Sequence, residues 1–150
     1  MRVPSYIGSL EQWLSEFQFS VPVKVRFSET DAFGHLNNTK AFVFFEEART
    51  EFFKHLGLMN KWISREYETM VVVADLHCDY IQQIKFAERL SISVKVNQIG
   101  RSSVDLHYVA HNEKKEVCLI GRGTIVQISK ETGQSVEWDE DMRMEFEKHE

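Results

Sequence analysis

Apolar and polar positions alternate along residues 21–27, where Val21, Val23, Val25 and Phe27 are separated by Pro22, Lys24 and Arg26. A period of two marks a half-buried strand, and Pro22 lies near its start, where a missing N–H is tolerable. Ahead of it, residues 9–17 place Leu10, Trp13, Leu14 and Phe17 on one helical face behind Ser9, a suitable N-cap. Residues 28–38 are polar, contain Gly34 and read as a loop. The longest helical pattern spans residues 39–56 and stops at Gly57. On it Lys40, Glu47, Glu51 and Lys54 share a stripe about 60° wide, with Phe42, Phe45, Phe52, Phe53 and Leu56 opposite. One narrow wet face predicts a helix buried on most sides. Glu46 and Arg49 also fall on the apolar side, three residues apart. They are expected to pair with each other and hold the helix in place.

Beyond Gly57 the pattern is mostly of strands. Residues 70–80 alternate Val72, Ala74, Leu76, Cys78 and Tyr80 against Val73, Asp75, His77 and Asp79. Residues 88–97 alternate Leu90, Ile92, Val94 and Val96, and residues 97–100 form a turn. Residues 101–111 alternate Val104, Leu106, Tyr108 and Ala110 before a second turn at 112–114. Residues 117–128 are apolar on both faces at Cys118, Leu119 and Ile120, as in a central strand. Short spacings and tight turns predict an antiparallel meander. Asp139 caps a final helix running to Phe146. The expected class is α+β: a curved antiparallel sheet of five to six strands wrapped around one long central helix. Residues 1–150 are expected to form one domain, with 1–20 as an N-terminal extension and 137–150 carrying the C-terminal helix.

Composition narrows the function. The chain has 150 residues and a formal net charge of −5, which disfavours non-specific binding to nucleic acid or anionic membrane. No apolar run is long enough to span a bilayer, and the first twenty residues lack the pattern of a secretory signal. Cys78 and Cys118 are isolated, which fits a reduced, cytoplasmic chain.

The candidate chemistry lies in the loop entering the long helix, Arg26-Phe27-Ser28-Glu29-Thr30-Asp31-Ala32-Phe33-Gly34-His35-Leu36-Asn37-Asn38. Free N–H groups and the helix dipole at that start can polarise a carbonyl oxygen. A carboxylate beside them can attack the carbonyl or activate water. Asp31 and Asn38 also fit the competing role of loop and capping residues.

Phe27-x-Glu29-Thr30-Asp31-x-x-Gly34-His35-Leu36-Asn37-Asn38, followed by Phe45-Glu46-Glu47-Ala48-Arg49, resembles the signature of hotdog-fold acyl-CoA thioesterases, most closely the 4-hydroxybenzoyl-CoA thioesterase-like branch. The resemblance runs from about Val21 to about Val136 and includes the turn Thr132-Gly133-Gln134. It implies hydrolysis of a thioester to a carboxylic acid and CoA, with no cofactor. It implies Asp31 as the catalytic carboxylate and the Asn38 backbone N–H as the contact to the thioester oxygen. His35 joins the catalytic candidates, either shaping the loop or touching the substrate, and Gly34, Asn37 and Thr39 join the substrate-binding ones. It further implies that two subunits meet to complete each site, in a homodimer or homotetramer. The chain departs from the pattern at Ala41, where relatives often carry Tyr, and at Thr39, where they often carry Ala.

Two alternatives share the fold: a hydratase or dehydratase acting on acyl thioesters, and a non-catalytic acyl-CoA-binding protein. The first usually needs a His with a helix carboxylate, and this loop does not resemble that arrangement. Gly121-Arg122-Gly123 marks a close backbone approach or a bend in the sheet, with Arg122 available to a CoA phosphate. His107 and His111 share a strand face but lack a matched third ligand, so no metal site is expected. His77 between Asp75 and Asp79 reads as a surface or interface cluster.

Overall fold

The computed structural model describes all 150 residues. Five strands form one antiparallel sheet: β1 (Phe19–Lys24), β2 (Thr69–Tyr80), β3 (Arg89–Ile99), β4 (Ser103–His111) and β5 (Val117–Ser129). Their order is β1-β3-β4-β5-β2, so the expected meander β3-β4-β5 is the middle of the sheet and β1 and β2 are its edges. Pro22 sits opposite Ser91 on edge strand β1, where only one side of the strand needs donors. β5 lies between β4 and β2, which explains its apolar faces.

Four helices accompany the sheet: α1 (Leu10–Ser15), α2 (Lys40–His55), α3 (Met59–Ile63) and α4 (Glu140–Glu147). α2 is the longest at 16 residues; α1 and α4 fall where short helices were expected, and α3 is added, so the long helix is not the sole helix beside the sheet. The α2 side chains Phe44, Phe45, Phe52 and Phe53 are buried with Val94, Leu106 and Tyr108 of the sheet in the main core. Phe45 stacks on Tyr108 with ring centroids 4.7 Å apart. Tyr108 pairs across the sheet with Gly121, where a Cβ would collide with the Phe45 ring. The missing side chain lets the Phe45 ring of α2 lie directly on the β5 backbone. Helix α3 went unforeseen and buries Trp62, whose indole N–H donates to Gln127 Oε1 at 3.2 Å.

Glu46 and Arg49 do pair, as expected, but not as a buried pair. Arg49 is buried and donates to the Tyr108 hydroxyl at 3.2 Å. The Glu46 side chain is 70% exposed and its carboxylate is 4.0 Å from the guanidinium. The flank of α2 carrying Val43 and Glu46 is exposed, so the open face is wider than the charged stripe. Periodicity could not show which flank lacks a neighbour.

Residues before β1 pack on the sheet face opposite α2. Ser9 caps α1, accepting the Gln12 N–H at 3.3 Å. Ile7 and Trp13 bury against Val109 and Ile120. The Trp13 indole N–H donates to His107 Nδ1 at 2.9 Å, and Lys95 Nζ meets Glu16 at 2.6 Å. Asp139 caps α4 as expected, accepting the Met142 N–H at 2.8 Å. No helix is long and apolar enough to cross a membrane.

Candidate active site

A 3-10 turn (Phe27–Glu29) leads from β1 into the loop before α2. Glu29 is buried and accepts the Arg26 N–H at 2.8 Å and its guanidinium at 3.3 and 3.4 Å. Burial alone would raise its pKa. The Arg26 backbone N–H, then the side chain and its charge, outweigh burial and hold the carboxyl below the ordinary carboxylate range. The sequence reading included Glu29 in the motif but gave it no role; its position ahead of the loop is anchoring.

The loop closes on Asp31. Its N–H donates to the His35 carbonyl at 2.8 Å, and the Gly34 N–H returns to the Asp31 carbonyl at 3.1 Å. Asp31 Oδ1 accepts from the N–H groups of Phe33 at 2.9 Å and His35 at 3.2 Å. Gly34 has φ +78°, a left-handed conformation that costs glycine little. The carboxylate is thus both a loop staple and, through Oδ2, a group that no protein donor occupies.

The turn from loop to helix uses nearly all its backbone donors. The Leu36 N–H reaches the Ile84 carbonyl at 2.7 Å, and the Asn37 N–H the Glu29 carbonyl at 2.8 Å. The Lys40 N–H reaches the Asn37 carbonyl at 2.9 Å. Asn37 Oδ1 accepts the Thr39 N–H at 3.0 Å and the Thr39 hydroxyl at 2.9 Å, an Asx turn just ahead of the helix, whose N-cap, Thr39, makes no side-chain capping bond. Among residues 36–40, the N–H left without a protein acceptor is that of Asn38. The Asn38 carbonyl accepts the Tyr80 hydroxyl at the end of β2.

Asp31 and His35 line a cavity of about 280 Å³ together with Leu36, Tyr80, Ile84, Leu119 and the 81–83 segment. The volume lies just under the usual range for a small-molecule pocket, and Leu36, Ile81, Ile84 and Leu119 give it an apolar wall. Gly34, Asn37, Asn38 and Thr39 belong to the same loop but do not line the cavity; Tyr80 joins it to the helix start. Sequence reasoning placed Tyr80 only as an alternating strand residue, since nothing local ties it to a loop 42 residues away.

Arg122 stands apart from this group. It lies on the face away from α2, bonded to Asp105 at 2.9 Å and 5.9 Å from the Tyr6 ring centroid. His107 is buried beneath Trp13, and burial pulls the His111 pKa down. His77 is exposed and meets Asp79 at 3.0 Å. A larger cleft, about 400 Å³, is rimmed by Glu66, Glu68, Glu137 and Asp139; Gln127 in its wall is fully hydrogen-bonded.

The chain belongs to the thioesterase-like superfamily, whose family model matches residues 25–146. It is 44% identical over 142 residues to the uncharacterized protein YsmA of Bacillus subtilis, covering 94% of each chain. Over 86 residues it is 30% identical to the acyl-CoA thioesterase YbgC of Haemophilus influenzae, covering 57% of this chain and 63% of that protein. Among solved structures, that of a predicted thioesterase from Bacillus stearothermophilus superposes with a TM-score of 0.78 at 29% identity, covering 87% of this chain and 95% of that one. The five-stranded antiparallel sheet with its helices matches the hotdog arrangement of such thioesterases.

Proposed function

We propose that the protein hydrolyses acyl-CoA thioesters: water and the thioester give a carboxylic acid and the CoA thiol. The carrying observation is a pair of unoccupied groups on one short loop. Asp31 Oδ2 is free of protein donors beside a cavity with an apolar wall, and the Asn38 N–H is an open donor just ahead of the first-turn N–H groups of α2. Asp31 attacks the thioester carbonyl to give a mixed anhydride, or takes a proton from the attacking water. On either route the Asn38 N–H, reinforced by the α2 dipole, stabilises the oxyanion. Burial keeps the Cys78 and Cys118 thiols protonated, with pKa values pushed up to about 12 and about 11, so neither supplies a thiolate. Gly34 lets the loop turn back on Asp31, and Asn37 and Thr39 fix the helix start. The reading takes residues 1–150 as one catalytic domain acting in a reducing cytoplasm. It takes two copies, or a pair of such dimers, to complete each site. Free-thiol release from a panel of short, long and aromatic acyl-CoAs tests it. Hydrolysis of at least one member is expected; binding without thiol release would leave only a carrier role.

A further inference from the structure

Tyr80 reaches both halves of the candidate site. Its ring lines the cavity with Asp31 and His35, and its hydroxyl donates to the Asn38 carbonyl. That carbonyl belongs to the Asn38–Thr39 peptide, whose N–H is held by Asn37 Oδ1. One peptide plane is therefore gripped at both ends, from β2 on one side and from the loop on the other. The preceding plane carries the free Asn38 N–H, and its own carbonyl is held by the Lys40 N–H. With both planes fixed, the rotation about Asn38 that would swing the open donor away is blocked.

Building on the thioesterase reading, we propose that Tyr80 is a positioning residue: acting through the Asn38–Thr39 peptide, it keeps the Asn38 N–H directed at the thioester oxygen and touches no reacting atom. Burial, reinforced by Cys78, pushes the phenol up to about 12, so it remains a donor through the neutral range and is no base. Tyr80 is 50% exposed, so Tyr80→Phe removes one oxygen without opening the core.

The expected result for Tyr80→Phe is a kcat reduced about 10- to 100-fold, the range of a misdirected oxyanion donor. KM and melting temperature should stay near the parent's, and the pH–kcat profile should keep its shape. The Asn38 and Thr39 amide resonances should shift even without substrate. Asn37→Ala frees the other end of the same plane, so the double variant should lose less than the product of the two single losses. Parental kcat in Tyr80→Phe, a lost alkaline limb, or independent effects of the two substitutions would overturn the proposal. So would a variant whose loss of activity follows loss of fold. A parent that hydrolyses no thioester defeats the thioesterase reading first; an active parent with an unimpaired Tyr80→Phe defeats this inference alone.

Discussion

On the proposed reading Asp31 combines two jobs that its sequence context presented as rivals. One oxygen staples the loop through Phe33 and His35, and the other, which no protein donor occupies, is the one proposed to react. Asn in its place keeps the stapling oxygen and loses the charge. Asp31→Asn is therefore expected to melt like the parent while thiol release falls about 10²- to 10⁴-fold. Glu29 has the opposite profile. Its pKa lies below the ordinary 4.5, so the unfolded chain binds the proton more readily than the folded one. Its contribution is complete above the unfolded value and is lost as pH falls through the folded one. Glu29→Gln should cost about 1 kcal/mol at neutral pH and flatten the decline of stability below pH 4.5, read by denaturant titration across pH. The loop was legible because its glycine, carboxylate and amides are consecutive. Tyr80 was not, because its partner is fixed only by the fold. Glu46 was misplaced for a related reason: helical arithmetic gives the angle of a side chain but not which angles remain uncovered.

The elements follow their periodicities closely where they are long. β2 to β5 fall within two residues of their alternating segments, and α2 loses only the ends of its apolar pattern. The five residues of α3 are too few to show a helical repeat, so Trp62 gave no warning of it. β1 starts earlier than its alternation, at Phe19, because Phe19 pairs with Val94. The glycines of β5 were read as either a close approach or a bend. At Gly121 the close approach is real, with the Phe45 ring over bare backbone. Gly121→Ala should therefore destabilise by about 1–3 kcal/mol, the usual cost of overpacking. Adding Phe45→Leu should give back part of that loss, a coupling that a double-mutant cycle in urea would measure.

At the scale of the molecule the unresolved demand is β2. Its outer edge has no partner within the chain, and Met70, Val72 and Val73 remain exposed, Val73 by 45%. A bare apolar edge of this length invites pairing, β2 to β2 with a second copy. If the proposed pairing holds, the parent is a dimer by light scattering and Val73→Lys a monomer with depressed hydrolysis; a parent that is itself monomeric at micromolar concentration would contradict the pairing. Alternation made the strand legible, but the order of the strands, and so the identity of the exposed edge, was set by long-range contacts that no local pattern carries. The opposite rim differs in kind, because Pro22 deprives β1 of a donor in mid-strand. A sheet with one receptive border and one spoiled border has a valence of one. Pairing of the proposed kind would then end at a closed pair rather than propagate along the sheet, with the proline as its end-stop.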